Sequence, residues 1–489
     1  MKKIKVEHIL LLLIFLFILA FRMYFAFQVE YFNTDDAYFH LKYIEHILEK
    51  GTVMIYDPLS YGGIDVIYPH LFHILMALFS FGSVFMLKLI PELAISLTVF
   101  VVYLVSKDIS GNSFGALFSS LLFGFYPLIF YETLNNLSIY TFILPLLLLM
   151  VYSLTRLDDK KYLWFFVLGS FLLPLLHPSS LLFVFMGFLY LFLLSGGALS
   201  STRIKKEAIF FSSFLILLLQ LLIYKKMILQ HGLGLLWNNI PSNIFNDLFR
   251  QFSSTDLIFG LGLLPLVLGA FGVYVSVIRE KKKLAYLLAS FGLSVLILLF
   301  FRFLSISIGL IFLGLVLCVF SSSTFTLVYD YFSNFKFIRL RTVFVVVLIF
   351  SFIFLSFIPS YDSANNSRQL TDNKVKQIKW LSINTLPEHV ILGNFEEGNL
   401  INYYGMRKNV IDTNFAVAPD PVVRYRDIEL IYTTPSEALA LDLLRKYNIN
   451  FIYVSDETKE FYGINGLSYT KNNLCFESFR EGRYYFVHC

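Results

Sequence analysis

The sequence has few charged residues. Only 15% of its 489 residues are Asp, Glu, Lys or Arg, whereas soluble chains carry roughly 25%. Hydrophobic residues make up 57%, and Phe alone occupies 55 positions. So much apolar surface cannot all face inward, which excludes a disordered chain, a nucleic-acid binder and a single soluble enzyme domain. The sequence therefore predicts a protein that is solvated mainly by lipid.

Cysteine is scarce as well, and so are the common nucleotide motifs. Three cysteines are too few for a disulfide framework. Cys318 lies in an apolar run, whereas Cys475 and Cys489 could pair if the C-terminal region lies outside the cell. That region contains no P-loop, dinucleotide or zinc-finger pattern.

The charges are unevenly distributed, which predicts two domains. Residues 1–359 hold 43 of the charged residues, whereas residues 360–489 hold 30 and have the charge density of a soluble domain. Apolar runs near the ~20 residues that span a bilayer recur along the first part. They predict about eleven transmembrane helices, near 8–28, 93–106, 111–129, 138–155, 162–176, 178–196, 208–224, 257–278, 284–301, 303–322 and 342–359.

The distribution of Lys and Arg predicts the orientation of these helices. With the N-terminus in the cytoplasm, inner loops hold 17 Lys and Arg and outer segments hold 7, as the positive-inside rule expects. Residues 360–489 then lie outside the cell. The apolar segment 71–87 would invert this order if it spanned the membrane, so we interpret it as an amphipathic helix at the outer interface. Two long outer segments remain, 29–92 and 225–256.

The C-terminal region has the alternating patterns of a small α/β domain. Helical spacing covers VKQIKWLSINT, EEGNLINYYG and SEALALDLLRKYN, and strand-like runs cover HVILG, RKNVID and NFIYVS. The end of the chain alternates around Glu481-Gly482 like a β-hairpin.

The segment just after the first helix carries the strongest chemical signal. Thr34 or Asp35 can cap the next helix, and Asp36 and His40 then share one of its faces. Two acids at a membrane boundary can bind a divalent cation or act as a general base. The alternative is a helix cap with a solvated pair of acids.

Three further polar residues are expected at the same outer level. They are Glu132 after the third helix, His177 at the end of the fifth, and Arg302 at the start of the tenth. An arginine inside an apolar run is a functional candidate, and its guanidinium suits a phosphate. Alternatively, these residues are a hydrated loop acid, a helix-end histidine and an interfacial anchor, and the last of these is also how we interpret Arg22.

Several stretches resemble one enzyme family, in the order in which they occur there. DDAYFHLKYIEHILEKG, YDPLSYGG and YPHLFHILMAL resemble the first external loop of oligosaccharyltransferase catalytic subunits such as the archaeal AglB proteins. FRFLSISIGLIFLG is similar to a late helix whose arginine contacts the lipid phosphate. VKQIKWLSINTLPEHVILGNFEEGNLINYYGMRKNVID resembles the start of the external domain. The resemblance implies the GT-C fold of integral-membrane glycosyltransferases.

The resemblance also implies roles for individual residues. Asp36 matches the catalytic or metal-binding acid of the first loop, and Arg302 matches the arginine on the donor phosphate. Three features of the family are missing: its Asp-x-Asp pair, where only Glu132 is available, its acceptor-holding glutamate within 225–256, and most of its WWDYG motif. That motif falls on Asn394-Phe395-Glu396-Glu397-Gly398.

The sequence therefore predicts a membrane glycosyltransferase that uses a polyprenyl-phosphate- or pyrophosphate-linked sugar donor. Asp36, Asp35 and Glu132 are the predicted catalytic residues, and Asp36 and Glu132 would also hold Mn²⁺ or Mg²⁺. Arg302, His177, His40 and Tyr38 are the predicted substrate-binding residues. The acceptor is a protein, lipid or glycan. The alternatives are an oligosaccharyltransferase acting on protein asparagine, a transporter or flippase for a lipid-linked substrate, and a sensor or scaffold.

Overall fold

The structure is a computed structural model that describes residues 5–197, 199–232, 253–333, 338–367, 370–415, 418–472 and 474–489. Most of the predicted outer segment 225–256 lies outside these residues. The chain packs into two compact units. The membrane unit comprises Met1–Glu30, Pro69–Leu222 and Leu248–Arg368, and the polar unit comprises Tyr31–Tyr68, Ile223–Asp247 and Gln369–Cys489.

The membrane unit is built from apolar helices, as predicted. By length and composition, seven described helices can cross a membrane, or eight if one bent pair is a single span. The seven are Val6–Ala26, Val84–Ser110, Pro178–Gly196, Arg203–Leu229, Lys283–Phe300, Ile306–Phe332 and Thr342–Asn365. The bent pair is Ser113–Gly124 and Pro127–Thr133. Between and beside these lie Leu71–Ser80, Tyr140–Thr155, Lys160–Leu176, Ser254–Leu261 and Leu263–Val273. Each of the eleven predicted runs falls on one or two of these helices.

The bend of 47° in the helix pair has a local cause. Phe125 leaves the helical conformation just before Pro127, which has no N–H to donate. The freed carbonyl of Phe125 instead accepts hydrogen bonds from the Ser356 and Ser360 hydroxyls, at 2.6 and 2.7 Å. Side chains of a neighbouring helix therefore satisfy a backbone group that lipid could not satisfy.

The apolar segment 71–87 is divided between two helices. Leu71–Ser80 is only ten residues long, or about 15 Å at 1.5 Å per residue, so it cannot span a bilayer. Phe81 and Gly82 both have positive φ and end it, and the next helix begins at Val84. That helix Leu71–Ser80 lies at the outer interface of the membrane stays a prediction.

Arg22 is not the interfacial anchor that the sequence indicated. Its side chain is only 1% exposed, and its Nε donates to Glu92 Oε2 at 2.6 Å. A second guanidinium nitrogen, Nη2, donates to Thr133 Oγ1 at 2.9 Å, and Glu92 Oε1 accepts from the Asn135 N–H at 2.7 Å. The ion pair thus joins three helical segments of the membrane unit, because a buried charge needs a partner.

The C-terminal residues form the predicted α/β domain around a five-stranded sheet. The strand order is Lys408–Asn409, Val390–Leu392, Ile449–Tyr453, Tyr484–Val487, Phe476–Phe479. The first three strands are parallel, and the last two form the predicted antiparallel hairpin. The helices are Asp372–Asn384, Gly398–Tyr403, Pro421–Thr433, Glu437–Lys446 and Asp456–Tyr462, of which the third and fifth were not predicted. Cys475 and Cys489 form a disulfide.

The first outer segment belongs partly to this polar unit, whereas the sequence had placed all of 29–92 with the membrane domain. Helix Asp35–Lys50 is followed by the short antiparallel strands Tyr56–Asp57 and Ile64–Asp65. Tyr61, between them, is 5% exposed and lies in the apolar core of the C-terminal domain. Hydrophobic burial thus holds together, in one unit, segments that are about 350 residues apart in the sequence.

The buried ion pair gives a testable prediction about stability. Glu92→Gln keeps an acceptor for the Asn135 N–H but leaves the Arg22 charge without a counter-charge. We expect it to lower the free energy of unfolding by about 3 kcal/mol. The double variant Arg22→Met/Glu92→Gln removes both charges and should recover most of that loss. Denaturant unfolding of the purified protein in detergent measures both. Equal stability of the single and double variants would contradict the role of the pair.

Candidate functional site

Asp36 lies in the first turn of helix Asp35–Lys50, where the sequence predicted it. Thr34 is the N-cap, since its hydroxyl accepts the Ala37 N–H at 3.3 Å. The Asp36 side chain is exposed. Its Oδ1 accepts a hydrogen bond from the Thr413 hydroxyl at 2.6 Å. The helix therefore presents a carboxylate that already receives one O–H group.

Asp35 has a different task from its neighbour. Its Oδ1 accepts the Leu400 N–H at 2.8 Å. Its Oδ2 accepts both the backbone N–H and the side-chain Nδ2 of Asn399, at 3.3 and 2.7 Å. These N–H groups begin helix Gly398–Tyr403, whose N-terminus favours a negative charge. Asp35 is thus a cap for a helix of the C-terminal domain, and both its oxygens are occupied.

The surrounding protein and neighbouring charges act on both carboxyls. Burial raises the pKa of Asp35 well above its usual range, and the charge of Asp36 adds to this, although the Leu400 N–H opposes it. Although part of the Asp36 residue is exposed to solvent, the protein around its carboxyl displaces water and raises its pKa; the Thr413 hydrogen bond lowers the pKa, and Asp412 and Glu396 raise it. An acid whose proton affinity is raised in this way is suited to accepting a proton.

Asp412, which the sequence did not single out, fixes the chain beside Asp36. It is fully buried and accepts hydrogen bonds from the Ser60 hydroxyl, from Asn409 Nδ2 at 3.1 Å and from the Asn414 N–H at 2.9 Å. Its carbonyl accepts the Tyr61 hydroxyl at 2.7 Å. Asp412 ends the RKNVID pattern, but no local signal marks its partners in the first outer segment.

The NFEEG segment, aligned with the acceptor motif of the family, makes internal contacts. Asn394 and Glu397 form a capping box, and buried Glu397 pairs with Lys374 at 3.0 Å. The Phe395 ring packs against Phe415, Tyr425 and Phe461. A Cβ on Gly398 would lie 2.5 Å from Asp412 Cβ and closer still to the Ile411 carbonyl. Gly398 therefore allows two backbone segments to approach.

Tyr38 and His40 lie largely inside the polar unit. Tyr38 is 1% exposed, and its hydroxyl accepts the Phe32 N–H at 3.2 Å while its ring packs against Tyr403 and Tyr404. His40 is 7% exposed, with its ring near Phe39 and Tyr68. These contacts are those of core residues, and the predicted substrate contacts stay a prediction.

Glu132 and His177 lie in the membrane unit. Glu132 is half-buried in helix Pro127–Thr133, one residue before the Thr133 that Arg22 contacts. His177 ends helix Lys160–Leu176, and its Nδ1 accepts the Ser179 N–H at 3.1 Å. This bond leaves Nε2–H as the donor of the neutral ring. The Tyr140 ring stands edge-on to the imidazole at 5.3 Å.

The sequence predicted that Arg302 begins the tenth helix. In the structure it lies in the turn before that helix. Helix Lys283–Phe300 ends in a Schellman arrangement, with Arg302 N–H bonded to the Leu299 carbonyl at 3.1 Å and Phe303 N–H to the Leu298 carbonyl at 2.9 Å. The next helix begins at Ile306. Arg302 has a φ of 60° at a position that favours glycine. The left-handed conformation therefore has a cost in backbone energy at this arginine.

Within the ranges that the structure describes, no three His, Cys, Asp or Glu side chains form a group that could hold a metal ion. The two predicted metal ligands, Asp36 and Glu132, belong to different units. A magnesium ion can use one or two carboxylates with phosphate oxygens and waters. Asp36 fits that simpler arrangement, because it is exposed and both oxygens of Asp35 are occupied.

Comparison with known proteins identifies the fold. Neither the models of known protein families nor the curated proteins give a match to this sequence. Among solved structures, the oligosaccharyltransferase of Archaeoglobus fulgidus in its apo form superposes with a TM-score of 0.71 at 12% identity, over 92% of this chain and 69% of that one. The same archaeal enzyme, AglB, in complex with an inhibitory peptide and dolichol-phosphate gives 0.67 at 11% identity, over 97% and 74%.

A second enzyme gives the same result over nearly the whole of both chains. ArnT from Cupriavidus metallidurans, bound to undecaprenyl phosphate, superposes with a TM-score of 0.53 at 10% identity, over 96% of this chain and 97% of that one. The chain has the GT-C fold. The fold class predicted from the sequence, a polytopic helical membrane protein with a small C-terminal α/β domain, is thereby confirmed.

The different tasks of the two adjacent acids can be tested by their effects on stability. Asp35→Ala removes the cap from helix Gly398–Tyr403, and we expect a loss of about 2 kcal/mol, since hydrogen bonds to a charged group contribute roughly 1.5–3 kcal/mol. The matched variant Asp36→Ala loses a single hydrogen bond at an exposed position, so it should cost less stability than Asp35→Ala. Denaturant unfolding of the full chain measures both. If Asp36→Ala is the more damaging of the two, the assignment of the cap is wrong.

Proposed function

We propose that the protein is a glycosyltransferase that takes a sugar or glycan from a polyprenyl-phosphate- or pyrophosphate-linked donor. The observation that carries this proposal is the GT-C fold shared with two different enzymes whose structures hold a polyprenyl phosphate, dolichol-phosphate in one and undecaprenyl phosphate in the other. A donor carried by a lipid needs no nucleotide-binding motif. The absence of such motifs from the C-terminal sequence agrees with this.

Arg302 and His177 bind the lipid-linked donor. Arg302 offers a planar guanidinium to the phosphate, which stabilises the charge that develops on the leaving group. His177 donates a hydrogen bond from Nε2 to the sugar or phosphate. The left-handed backbone of Arg302 and the Nδ1 contact of His177 support these roles, because both restrict where the side chain can go.

Asp36 serves the acceptor. It removes the proton from the acceptor nucleophile as that atom attacks the anomeric carbon, while the bond to the lipid phosphate breaks. The hydroxyl that Thr413 already directs at Asp36 supports this role, because an acceptor hydroxyl would approach a carboxylate in the same way. Glu132 assists as a second acid. Asp35 acts through structure, since both its oxygens accept N–H groups of the C-terminal domain.

A divalent cation is an alternative form of this proposal, in which Asp36 is a metal ligand instead of the base. Asp36 would then hold Mn²⁺ or Mg²⁺ together with donor phosphate oxygens, and the ion would neutralise phosphate charge when bound. One structure of the archaeal enzyme is a complex with zinc and sulfate, at a TM-score of 0.62 and 12% identity over 96% of this chain and 73% of that one.

The acceptor differs from a protein asparagine in our proposal. The internal contacts of Phe395 and Glu397 support this, because they use the positions of the family's acceptor motif for packing and for an ion pair. The reaction takes place on the outer face of the membrane, with the N-terminus in the cytoplasm. The bias of Lys and Arg and the Cys475–Cys489 disulfide support this orientation, since disulfides persist in oxidising compartments.

Sugar transfer in membranes tests the proposal. Membranes containing the protein receive a radiolabelled polyprenyl-linked sugar, with a sequon peptide, a lipid hydroxyl or a glycan hydroxyl offered in parallel. Asp36→Asn should lower transfer at least about 100-fold, the scale of general acid–base catalysis. Glu49→Gln, an exposed acid on the same helix, is the control and should leave it unchanged. Full activity of Asp36→Asn contradicts the catalytic role. Movement of the lipid without a covalent product favours a transporter, and transfer to the peptide favours an oligosaccharyltransferase.

Arg302 allows activity and stability to be separated. Arg302→Gly removes the guanidinium and leaves a residue that adopts the left-handed backbone without strain, so the variant should still fold in detergent. Its transfer rate should nevertheless fall about 10- to 100-fold, because a charged contact to phosphate contributes roughly 1.5–3 kcal/mol. Arg302→Lys should recover part of the rate. An Arg302→Gly variant with unchanged transfer would show that the side chain has no role at the donor.

A further inference from the structure

The contacts of Asp36 lead into a chain of hydrogen bonds within the polar unit. Asn399 Nδ2 donates to Asp35 Oδ2 at 2.7 Å and to Thr413 Oγ1 at 3.2 Å. The Thr413 hydroxyl in turn donates to Asp36 Oδ1 at 2.6 Å. Because Oγ1 of Thr413 accepts from Asn399, its single hydrogen is directed at Asp36. The chain therefore connects the two adjacent acids through two residues of the C-terminal domain.

The hydrogen bond from Thr413 gives Asp36 a fixed side-chain orientation, which an exposed aspartate otherwise lacks. An exposed side chain samples several rotamers, and fixing one of them has an entropic cost. An O–H bond to a carboxylate at 2.5–2.7 Å is of the strong, charge-assisted kind, and the observed 2.6 Å lies in that range. Across the ranges described here, no hydrogen-bond donor contacts Oδ2 of Asp36. The contact thus orients the carboxyl and occupies one oxygen only.

Thr413 is itself held on both sides. The preceding residue, Asp412, is fully buried and accepts the Asn409 side chain and the Asn414 N–H. Hydroxyls of Ser60 and Tyr61 reach the same residue from the first outer segment. The backbone at Thr413 therefore has little freedom, and its hydroxyl is presented in a fixed direction.

We propose that Thr413, oriented by Asn399, is a positioning residue for the reaction: it holds the Asp36 carboxyl in one rotamer and leaves Oδ2 to take the proton of the acceptor. The inference rests on the proposed role of Asp36 as the base. It assigns to the C-terminal domain a direct part in the geometry of the reaction. Neither the sequence pattern nor the family resemblance singled out Thr413 or Asn399.

The test compares three variants in the transfer assay, with kcat and KM measured separately. Thr413→Val keeps the branched shape but removes the hydroxyl, and should lower kcat about 10- to 100-fold with KM for the donor unchanged within about twofold, because misplacement of a reacting group acts on the chemical step. Thr413→Ser restores the donor and should return kcat to within about threefold of the parent. Thr433→Val, at an exposed threonine of the same unit, is the control and should behave as the parent.

Asp36→Asn is measured beside them and separates the two proposals. If Asp36→Asn is inactive and Thr413→Val is fully active, the positioning role is overturned while the proposed function stands. If Asp36→Asn is active, the proposed function itself fails. A rise in KM with kcat unchanged, or a failure of Thr413→Ser to rescue, also overturns positioning. Melting curves accompany each variant, and Thr413→Cys, a similarly sized and weaker donor, replaces Thr413→Val if the latter does not fold.

Discussion

The hydrogen bonds of the Asp35 carboxylate connect the first outer segment to the C-terminal domain. They join two segments separated by more than 360 residues, and they satisfy N–H groups that the start of helix Gly398–Tyr403 would otherwise leave without partners. The same contacts set the orientation of helix Asp35–Lys50 within the polar unit. Because Asp36 is the residue after Asp35 in that helix, its position depends on the hydrogen bonds that Asp35 makes.

Two adjacent aspartates can therefore have opposite tasks. Successive residues of a helix point about 100° apart, so one carboxyl can face the protein while the next faces the solvent. Asp35 uses both oxygens for N–H groups, whereas Asp36 remains exposed and receives one hydroxyl. The charge of Asp36 makes Asp35 harder to ionise, and Asp412 and Glu396 do the same to Asp36. Catalytic sites often contain carboxyls whose pKa values are raised by their surroundings.

The sequence predicted what local patterns determine. Apolar runs marked the membrane helices, short strand-like runs and an alternating C-terminal segment marked the strands, and Thr34 before two acids marked a helix start. Contacts between distant segments have no such local pattern in the sequence. Tyr61 in the core of the C-terminal domain, Ser60 on Asp412 and Glu92 on Arg22 depend on which surfaces meet in space. The hydrogen bonds of Asp35 could not be predicted for the same reason, since nothing near it in the sequence indicates the helix that it caps. The left-handed conformation of Arg302 was equally hidden, because arginine is not a residue that indicates it.

The NFEEG segment brings two backbone segments of the polar unit close together. Gly398 has no side chain, which permits the close approach of Ile411 and Asp412. That approach is what brings Thr413, the next residue, to the start of helix Asp35–Lys50. The neighbouring positions form a capping box, an ion pair to Lys374 and an aromatic contact. Gly398 thus sets the backbone geometry beside the proposed base, while Asn394, Phe395 and Glu397 stabilise the domain. Because these side chains are used within the domain, they agree with our proposal that the acceptor is not a protein asparagine.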